Sequence, residues 1–152
     1  MPTVFERLDT DADGIASVVE LMRSLYEHDA IAFDAVAARA ALTGLVRDPR
    51  NGAAWLVKDG DDNVGYAIVT FGYSLEFHGV DAFLDELYIA GPYRGRGLGR
   101  RAVELAEDLC RERGVRALHL EVERTNMDAQ AVYRKMGFRD HDRYLLTKWI
   151  SR

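Results

Sequence analysis

Apolar and polar residues alternate along this chain in blocks whose lengths and periods predict a series of strands and helices. Apolar runs of strand length occur at 4–8, 54–58, 64–73, 83–89, 117–122 and 144–150. Apolar residues recur with the helical period over 15–26, 33–45 and 98–113, and a shorter helix is predicted between Asn126 and Gly137. Gly114 and Gly137 follow two of these helices, as is typical of helix ends.

The order of the predicted elements indicates how they assemble. A polar segment, Asp59-Gly60-Asp61-Asp62-Asn63, joins two strands and predicts a hairpin. Later strands are separated by helices, so we expect an α/β (α+β) fold in which a mixed, mostly antiparallel central sheet is flanked by helices. The chain has 152 residues, enough for one core, and we predict a single domain over residues 1–152.

Charge and composition narrow the classes of protein. The net charge of −5 argues against nonspecific nucleic-acid binding, and no apolar stretch approaches the roughly 18 residues that span a membrane. The first residues lack a basic-then-apolar signal, so we expect a cytoplasmic protein with neither nucleic-acid nor membrane partners. The single cysteine, Cys110, excludes an internal disulfide and is interpreted as a core residue.

Two patterns that could hold a metal ion are interpreted otherwise. Aspartates at 9, 11 and 13, followed by Gly14 and Glu20, have the spacing of a calcium-binding EF-hand loop. Too few residues precede this segment to form the required helix, so we interpret Asp11 and Asp13 as turn and cap residues of the first helix. The histidines lack the spacing of metal ligands; they are His28, His78, His119 and His141. We therefore predict no metal site.

A glycine-rich turn at residues 94–99 follows the strand 83–89 and opens the helix 98–113. Its sequence is Arg-Gly-Arg-Gly-Leu-Gly. Glycines let backbone N–H groups approach an anion closely, and the helix dipole adds positive potential, so the turn predicts a phosphate site. Arg100 stands where a dinucleotide fingerprint needs a third glycine, and the Gly-Lys-Ser/Thr of a P-loop is missing. Both familiar nucleotide-binding interpretations therefore fail.

The remaining pattern, Arg-x-x-Gly-x-Gly, is flanked by two further blocks. Asp85-Glu86-Leu87-Tyr88-Ile89 precedes it, and Asn126-x-x-Ala129-x-x-x-Tyr133-x-x-x-Gly137-Phe138 follows it. In this order the three blocks, which cover residues 83–138, resemble the GNAT superfamily of acyl-CoA-dependent N-acetyltransferases. The resemblance implies the same fold that the element order predicts.

The resemblance also implies acetyl-CoA as co-substrate and a set of residues that bind it. The turn would hold the phosphates, the strand after Glu86 would bind the pantetheine arm, and a backbone N–H near Ile89 would polarise the thioester carbonyl. The cofactor-binding residues expected in this way are Leu87, Tyr88, Ile89, Arg94, Gly95, Arg96, Gly97, Leu98, Gly99, Arg100, Asn126, Ala129 and Tyr133.

Transfer to a primary amine needs a base, because an amine with a pKa near 10 is mostly protonated at neutral pH. Glu86 and Asp85 are the candidates, and strand alternation should send them to opposite faces, so only one can be central. We favour Glu86, because the diamine- and polyamine-acetylating branch of the family carries an acid at this position. By resemblance, Tyr133 protonates the departing thiolate; the alternative is that Tyr133 is a core aromatic.

These expectations define a function and its alternatives. We expect acetyl transfer to a primary amine, of the small di- or polyamine kind. An aminoglycoside, an amino acid or a protein N-terminus remains open as the substrate, and so does a module that binds acetyl-CoA without turnover. The apolar strand predicted at 144–150 would leave an exposed edge, so we also expect a homodimer, which is common in the resembling family.

Overall fold

A computed structural model describes residues 2–152, and their elements follow the predicted order. The strands are β1 (Thr3–Arg7), β2 (Gly52–Asp59), β3 (Asp62–Ser74), β4 (Gly79–Ile89) and β5 (Ala117–His119). The helices are α1 (Ala12–His28), α2 (Ala35–Arg47), α3 (Leu98–Glu112) and α4 (Met127–Lys135), and a 3₁₀ turn covers Gly91–Tyr93. The chain divides into two compact units, one ending at Glu121 and one comprising Val122–Arg152.

The first unit contains a five-stranded sheet in the order β1-β2-β3-β4-β5. The first four strands pair antiparallel, and β5 pairs parallel with β4. Helices α1 and α2 cover one face, where side chains such as Leu56, Tyr66 and Ile68 form a core with Val18 and Met22. The predicted mixed sheet flanked by helices is therefore confirmed.

Helix α3 contributes the second layer of the core. Its buried side chains lie on one face of the helix, as the sequence pattern predicts; they are Leu98, Ala102, Val103, Ala106, Leu109 and Cys110. Cys110 is thus a core residue, as expected. The start of the helix lies close to β4, since a Cβ added at Gly99 would contact Leu87 Cδ2 at 3.9 Å.

Aspartates begin the first two helices. Asp11 Oδ2 accepts a hydrogen bond from the Gly14 N–H at 3.0 Å, and Asp34 Oδ1 accepts from Val36 and Ala37 at 3.0 and 3.1 Å. These bonds satisfy N–H groups that the helices leave unpaired. Asp11 is therefore the cap that the sequence predicts, and Asp13 lies in the first turn of α1.

The second unit contains α4 and a C-terminal segment without helix or strand. Asn126 Oδ1 accepts a hydrogen bond from the Ala129 N–H at 3.2 Å and so caps the start of α4. Gly137 follows the helix with φ +101°, a conformation that favours glycine.

Two strand predictions are wrong in extent or in kind. The strand expected at 117–122 ends at His119. Residues 144–150 form no strand in the described chain, and their apolar side chains are exposed, with Leu146 at 89% and Ile150 at 90%. A run of apolar and aromatic residues supplies β-propensity, but a strand also needs a neighbouring backbone with which to pair.

Candidate active site

A β-bulge in β4 shapes the region in which the candidate carboxylates lie. Ile68 of β3 lies opposite Glu86, whereas the next residue, Val69, lies opposite Leu84. Asp85 is therefore the extra residue of the bulge, and the regular alternation assumed from the sequence is interrupted there. As a result Glu86 lies on the face of the sheet that packs against α1, and Asp85 is exposed.

Two tyrosine hydroxyls hold the Glu86 carboxylate. Tyr26, near the end of α1, donates to Oε2 at 2.5 Å, and Tyr66, buried on β3, donates to Oε1 at 2.7 Å. Burial raises the pKa of Glu86 above its usual value, although both hydrogen bonds act in the opposite direction. The negative charges of Asp85 and Asp29 raise the pKa further.

The pKa values of the two tyrosines are raised as well. Burial is the largest cause that raises the pKa of Tyr26 and of Tyr66, and the adjacent Glu86 raises both further. Both phenols consequently remain protonated and act as donors. Sequence reasoning did not identify either tyrosine as a site residue.

The outer edge of β4 extends beyond its neighbour. β5 pairs with β4 over Asp81 to Phe83, and β4 continues to Ile89. The Ala90 N–H donates to the Val64 carbonyl oxygen at 2.8 Å, on the side of β4 that pairs with β3. The Ile89 carbonyl oxygen instead accepts a hydrogen bond from Arg94 Nε at 2.8 Å. Because successive residues of an antiparallel strand direct their backbone groups to opposite edges, the Ile89 N–H faces away from β3.

The glycine-rich turn combines an open backbone with arginines. Gly95 and Gly97 have φ +77° and +79°, and a Cβ at Gly97 meets no heavy atom of the described chain within 4 Å. Gly97 opens α3 without a side chain to cap it. A surface pocket of about 200 Å³ is lined by Ile89, Tyr93, Arg94, Gly95, Gly97, Leu98 and Gly99. Space, first-turn N–H groups and positive charge together fit the phosphate groups of an acyl-CoA.

The arginines of the turn already have neighbours. Arg94 lies 5.9 Å from the centre of the Tyr88 ring, and Arg96 lies 5.0 Å from that of Tyr93. Arg100 pairs with Glu104 at 3.4 Å, one helical turn later. These contacts orient guanidinium groups whose charge is available to a phosphate at the same surface.

The remaining predicted site residues belong to the second unit. Asn126 caps α4 through Ala129, and Tyr133 lies two turns into the helix. The Tyr133 ring contacts Phe138 edge-on at a centroid distance of 5.9 Å. Burial raises the pKa of Tyr133, so its hydroxyl carries a proton at neutral pH.

A partly buried contact between His119 and Asp81 was not predicted from the sequence. His119 Nε2 lies 3.0 Å from Asp81 Oδ2, and the His119 ring packs against Phe77 and Phe83 at 4.7 and 5.0 Å. Nothing in the local sequence pairs His119 with a residue 38 positions earlier. Across residues 2–152, no group of three or more His, Cys, Asp or Glu side chains is arranged to hold a metal ion.

Comparison with known proteins identifies the family. A sequence model of the acetyltransferase (GNAT) family matches residues 16–138. Thialysine N-epsilon-acetyltransferase from Bos taurus is 30% identical over 77 residues, which are 51% of this chain and 45% of that protein. The chain spans less than half the length of the curated relatives it matches.

Solved structures share the fold over nearly the whole chain. An integron cassette protein from the mobile metagenome of Cole Harbour Salt Marsh superposes with a TM-score of 0.84 at 30% identity, covering 97% of this chain and 91% of that one. An aminoglycoside N-acetyltransferase, crystallised with CoA, gives a TM-score of 0.81 at 14% identity, with coverages of 99% and 96%. The second likeness concerns the fold alone.

The family match covers most of the chain, so the chain belongs to the acetyltransferase (GNAT) family, as the three sequence blocks indicated. Acetyltransferases of this fold use acetyl-CoA as the acetyl donor, and a structural neighbour was crystallised with CoA. No helix among residues 2–152 is both long and apolar enough to cross a membrane.

Proposed function

We propose that this protein is an N-acetyltransferase that moves an acetyl group from acetyl-CoA to a small, positively charged primary amine of the di- or polyamine class. The observation that carries the proposal is the Glu86 carboxylate, held by two hydroxyls beside the bulge of β4. The strand that follows, Leu87 to Ile89, leads directly to the glycine-rich turn. A proton acceptor thus lies on the same strand as the proposed binding site of the acyl donor.

We propose that acetyl-CoA is bound by the residues that the sequence predicted for it. The first-turn N–H groups of α3 and the arginines at 94, 96 and 100 bind the phosphates. The outward-facing N–H of Ile89 donates to the thioester carbonyl. When bound, acetyl-CoA supplies the activated acetyl group as a thioester.

The proton transfers are assigned to side chains of this protein. Glu86 takes a proton from the ammonium nitrogen of the substrate, directly or through a water, because its raised pKa brings its basicity closer to neutral pH. Asp85 is the second candidate, since it adjoins Glu86 at the bulge. The protonated hydroxyl of Tyr133 donates to the departing sulfur, and Asn126 and Ala129 position the start of its helix.

The preference for a cationic substrate rests on charge. Asp85 and Asp29 lie close enough to Glu86 to raise its pKa, so three carboxylates create negative potential at this end of the sheet. A relative named for thialysine and a neighbour named for aminoglycosides support a small amine as the substrate class. An aminoglycoside remains the second candidate, because the same potential would attract it.

Kinetics of three variants test the assignments. We expect Glu86→Gln to lower turnover far more than acetyl-CoA affinity, and Asp85→Asn to have the smaller effect. Tyr133→Phe, which keeps the ring, should lower turnover by roughly a hundredfold. Thiol release from acetyl-CoA would be followed with a diamine, an aminoglycoside, an amino acid and a short peptide. Equal rates for Glu86→Gln and the unmodified protein on every substrate would remove Glu86 from the mechanism.

The same assay separates an enzyme from a binding module. A protein that only senses acetyl-CoA would bind it with no amine-dependent release of thiol.

We also propose that both units belong to one domain over residues 1–152, because the family match of residues 16–138 continues past Glu121. A homodimer is proposed from the exposed apolar side chains between residues 144 and 150.

A further inference from the structure

Three separate elements converge on the Glu86 carboxylate. Tyr26 of α1 and Tyr66 of β3 lie 60 and 20 residues before Glu86 in the sequence, yet each donates its hydroxyl to a different carboxylate oxygen. A carboxylate bound at both oxygens by fixed donors has a defined plane and direction. A carboxylate can accept a proton without such donors, so the two tyrosine hydroxyls need a separate explanation.

Both tyrosine rings are themselves held in place. Tyr66 is fully buried and lies 6.2 Å from the ring of Tyr88, and Tyr26 contacts Phe33 edge-on at 5.3 Å. Packing therefore fixes the two hydroxyls independently of the carboxylate. A phenylalanine at either position would keep the packing and remove only the donor.

The charges that face Glu86 oppose the two hydroxyls. Asp85 on the same strand and Asp29 at the end of α1 disfavour its ionised form, as does burial. The hydroxyls of Tyr26 and Tyr66 favour the ionised form, because a hydrogen bond donated to a carboxylate stabilises its negative charge. The ionisation of Glu86 is thus set by a balance in which the two tyrosines counter burial and the charges of the two aspartates.

We propose that Tyr26 and Tyr66 are positioning residues that hold the Glu86 carboxylate ionised and aimed for proton removal from the substrate amine. This inference rests on the proposed function, in which Glu86 is the proton acceptor. It also connects α1 to the catalytic strand, since a displacement of the end of α1 would move a donor of Glu86. Neither tyrosine needs to contact the substrate to fulfil this role.

The test is the pH dependence of kcat/KM for Tyr26→Phe and Tyr66→Phe with a diamine substrate. Removing one donor raises the pKa of Glu86, so the acid limb of the profile should move upward by about one pH unit. The ratio of variant to unmodified rate should fall roughly tenfold at acid pH and recover at alkaline pH, and ionisation of the amine cancels in this ratio. The KM for acetyl-CoA should be unchanged.

The matched control is Tyr73→Phe, because Tyr73 also lies on β3 but is 74% exposed. Its profile should coincide with that of the unmodified protein. Tyr66 is buried, so each variant is checked for folding by its acetyl-CoA affinity. Tyr26→Phe, at a half-buried helix end, keeps the test decisive if Tyr66→Phe fails to fold.

Glu86→Gln separates a failure of the proposed function from a failure of the positioning role of the two tyrosines. If this variant keeps both the rate and the acid limb, Glu86 is not the base and the proposed function loses its proton acceptor. If Glu86→Gln loses the limb while both phenylalanine variants leave its midpoint unmoved, the positioning role is overturned and the base remains. A uniform loss of rate at every pH would also overturn the positioning role, because it indicates a purely structural one.

Discussion

At the scale of single residues, the ionised form of Glu86 that is proposed to act as the base is also the form that burial destabilises. Burial and neighbouring negative charges raise its pKa, so its ionised form is less favourable in the folded chain than in the unfolded chain. Between the two pKa values the folded state binds more protons than the unfolded state. Stability must therefore fall as pH rises through this window. Glutamine at this position removes the dependence.

We predict that the free energy of unfolding of Glu86→Gln, relative to the unmodified protein, increases as pH rises from about 4 to about 8. Urea unfolding at several pH values would measure it. Asp48→Asn is the control, because Arg50 lowers the pKa of Asp48 and its titration therefore lies below this pH range, so its relative free energy of unfolding should stay constant across it. A difference for Glu86→Gln that does not vary with pH would contradict the inferred burial of its charge.

The glycines of the turn give a second prediction at this scale. Gly99 has room for a side chain, since its added Cβ would make only an ordinary contact with Leu87. Gly99→Asp should therefore fold but lower acetyl-CoA affinity at least tenfold, because it places a negative charge at the proposed phosphate site. Gly99→Asn, which is similar in shape and uncharged, should lose less. Calorimetric affinities of the two variants would decide; equal losses would indicate a steric effect alone.

At the scale of elements, local sequence signals predicted the architecture well. Aspartate and asparagine caps, glycine stops and apolar periodicity each act within a few residues, and the helices were correctly placed to within a few residues at their ends. The segment 144–150 shows the limit of such signals. Its apolar and aromatic residues favour a strand, but strand formation depends on a partner that the segment itself does not specify.

Site features that lie within one sequence block were predicted, and those that depend on contacts between distant residues were not. The glycine-rich turn and Glu86 were accessible to sequence reasoning, because each belongs to a contiguous block. The contacts of Glu86 with Tyr26 and Tyr66, and of Asp81 with His119, join positions far apart in the chain. The bulge at Asp85 arises from the mismatch of two strands, so neither strand alone reveals it. Pairing across elements, rather than propensity within them, creates these features.

Gly65, on β3, gives a prediction about the sheet. A Cβ at Gly65 would lie 2.3 Å from the Tyr88 carbonyl oxygen, so Gly65→Ala must displace β4 from β3. We expect it to lower the free energy of unfolding by about 2 kcal/mol or more and to weaken acetyl-CoA binding through Ile89. Gly44→Ala is the control: Gly44 lies within α2 and its Cβ meets no described atom within 4 Å, so a gain of up to about 1 kcal/mol is expected. Chemical unfolding of both variants provides the measurement, and an unaffected Gly65→Ala would show that β4 can adjust.

At the scale of the whole molecule, charge is distributed unevenly around a net value of −5. Arginines are concentrated at the turn proposed for the phosphates, whereas carboxylates surround Glu86. Opposite potentials thus lie near the two ends of the strand 86–89 and its following turn, which suits an anionic donor and a cationic substrate that must meet on one strand. The overall acidity by itself would attract the amine and repel the donor, so the local arginines are needed.

The last prediction concerns association of whole chains. Residues 144–150 expose several large apolar side chains, among them Leu146 at 89%, Trp149 at 66% and Ile150 at 90%. Solvent-exposed apolar groups this close together favour burial against another surface, and a two-fold pair buries the same segment from both copies. Light scattering at tens of micromolar should therefore give the mass of a dimer.

Substitution of the same segment tests where the chains meet. Leu146→Glu combined with Ile150→Glu should convert the dimer to a monomer, because charges would be buried without partners at the interface. Val36→Glu is the matched control: Val36 is 81% exposed but lies on α2, so its substitution should leave the dimer intact. A monomeric mass for the unmodified chain would exclude the homodimer. A dimer that survives the double substitution would place the interface elsewhere on the protein.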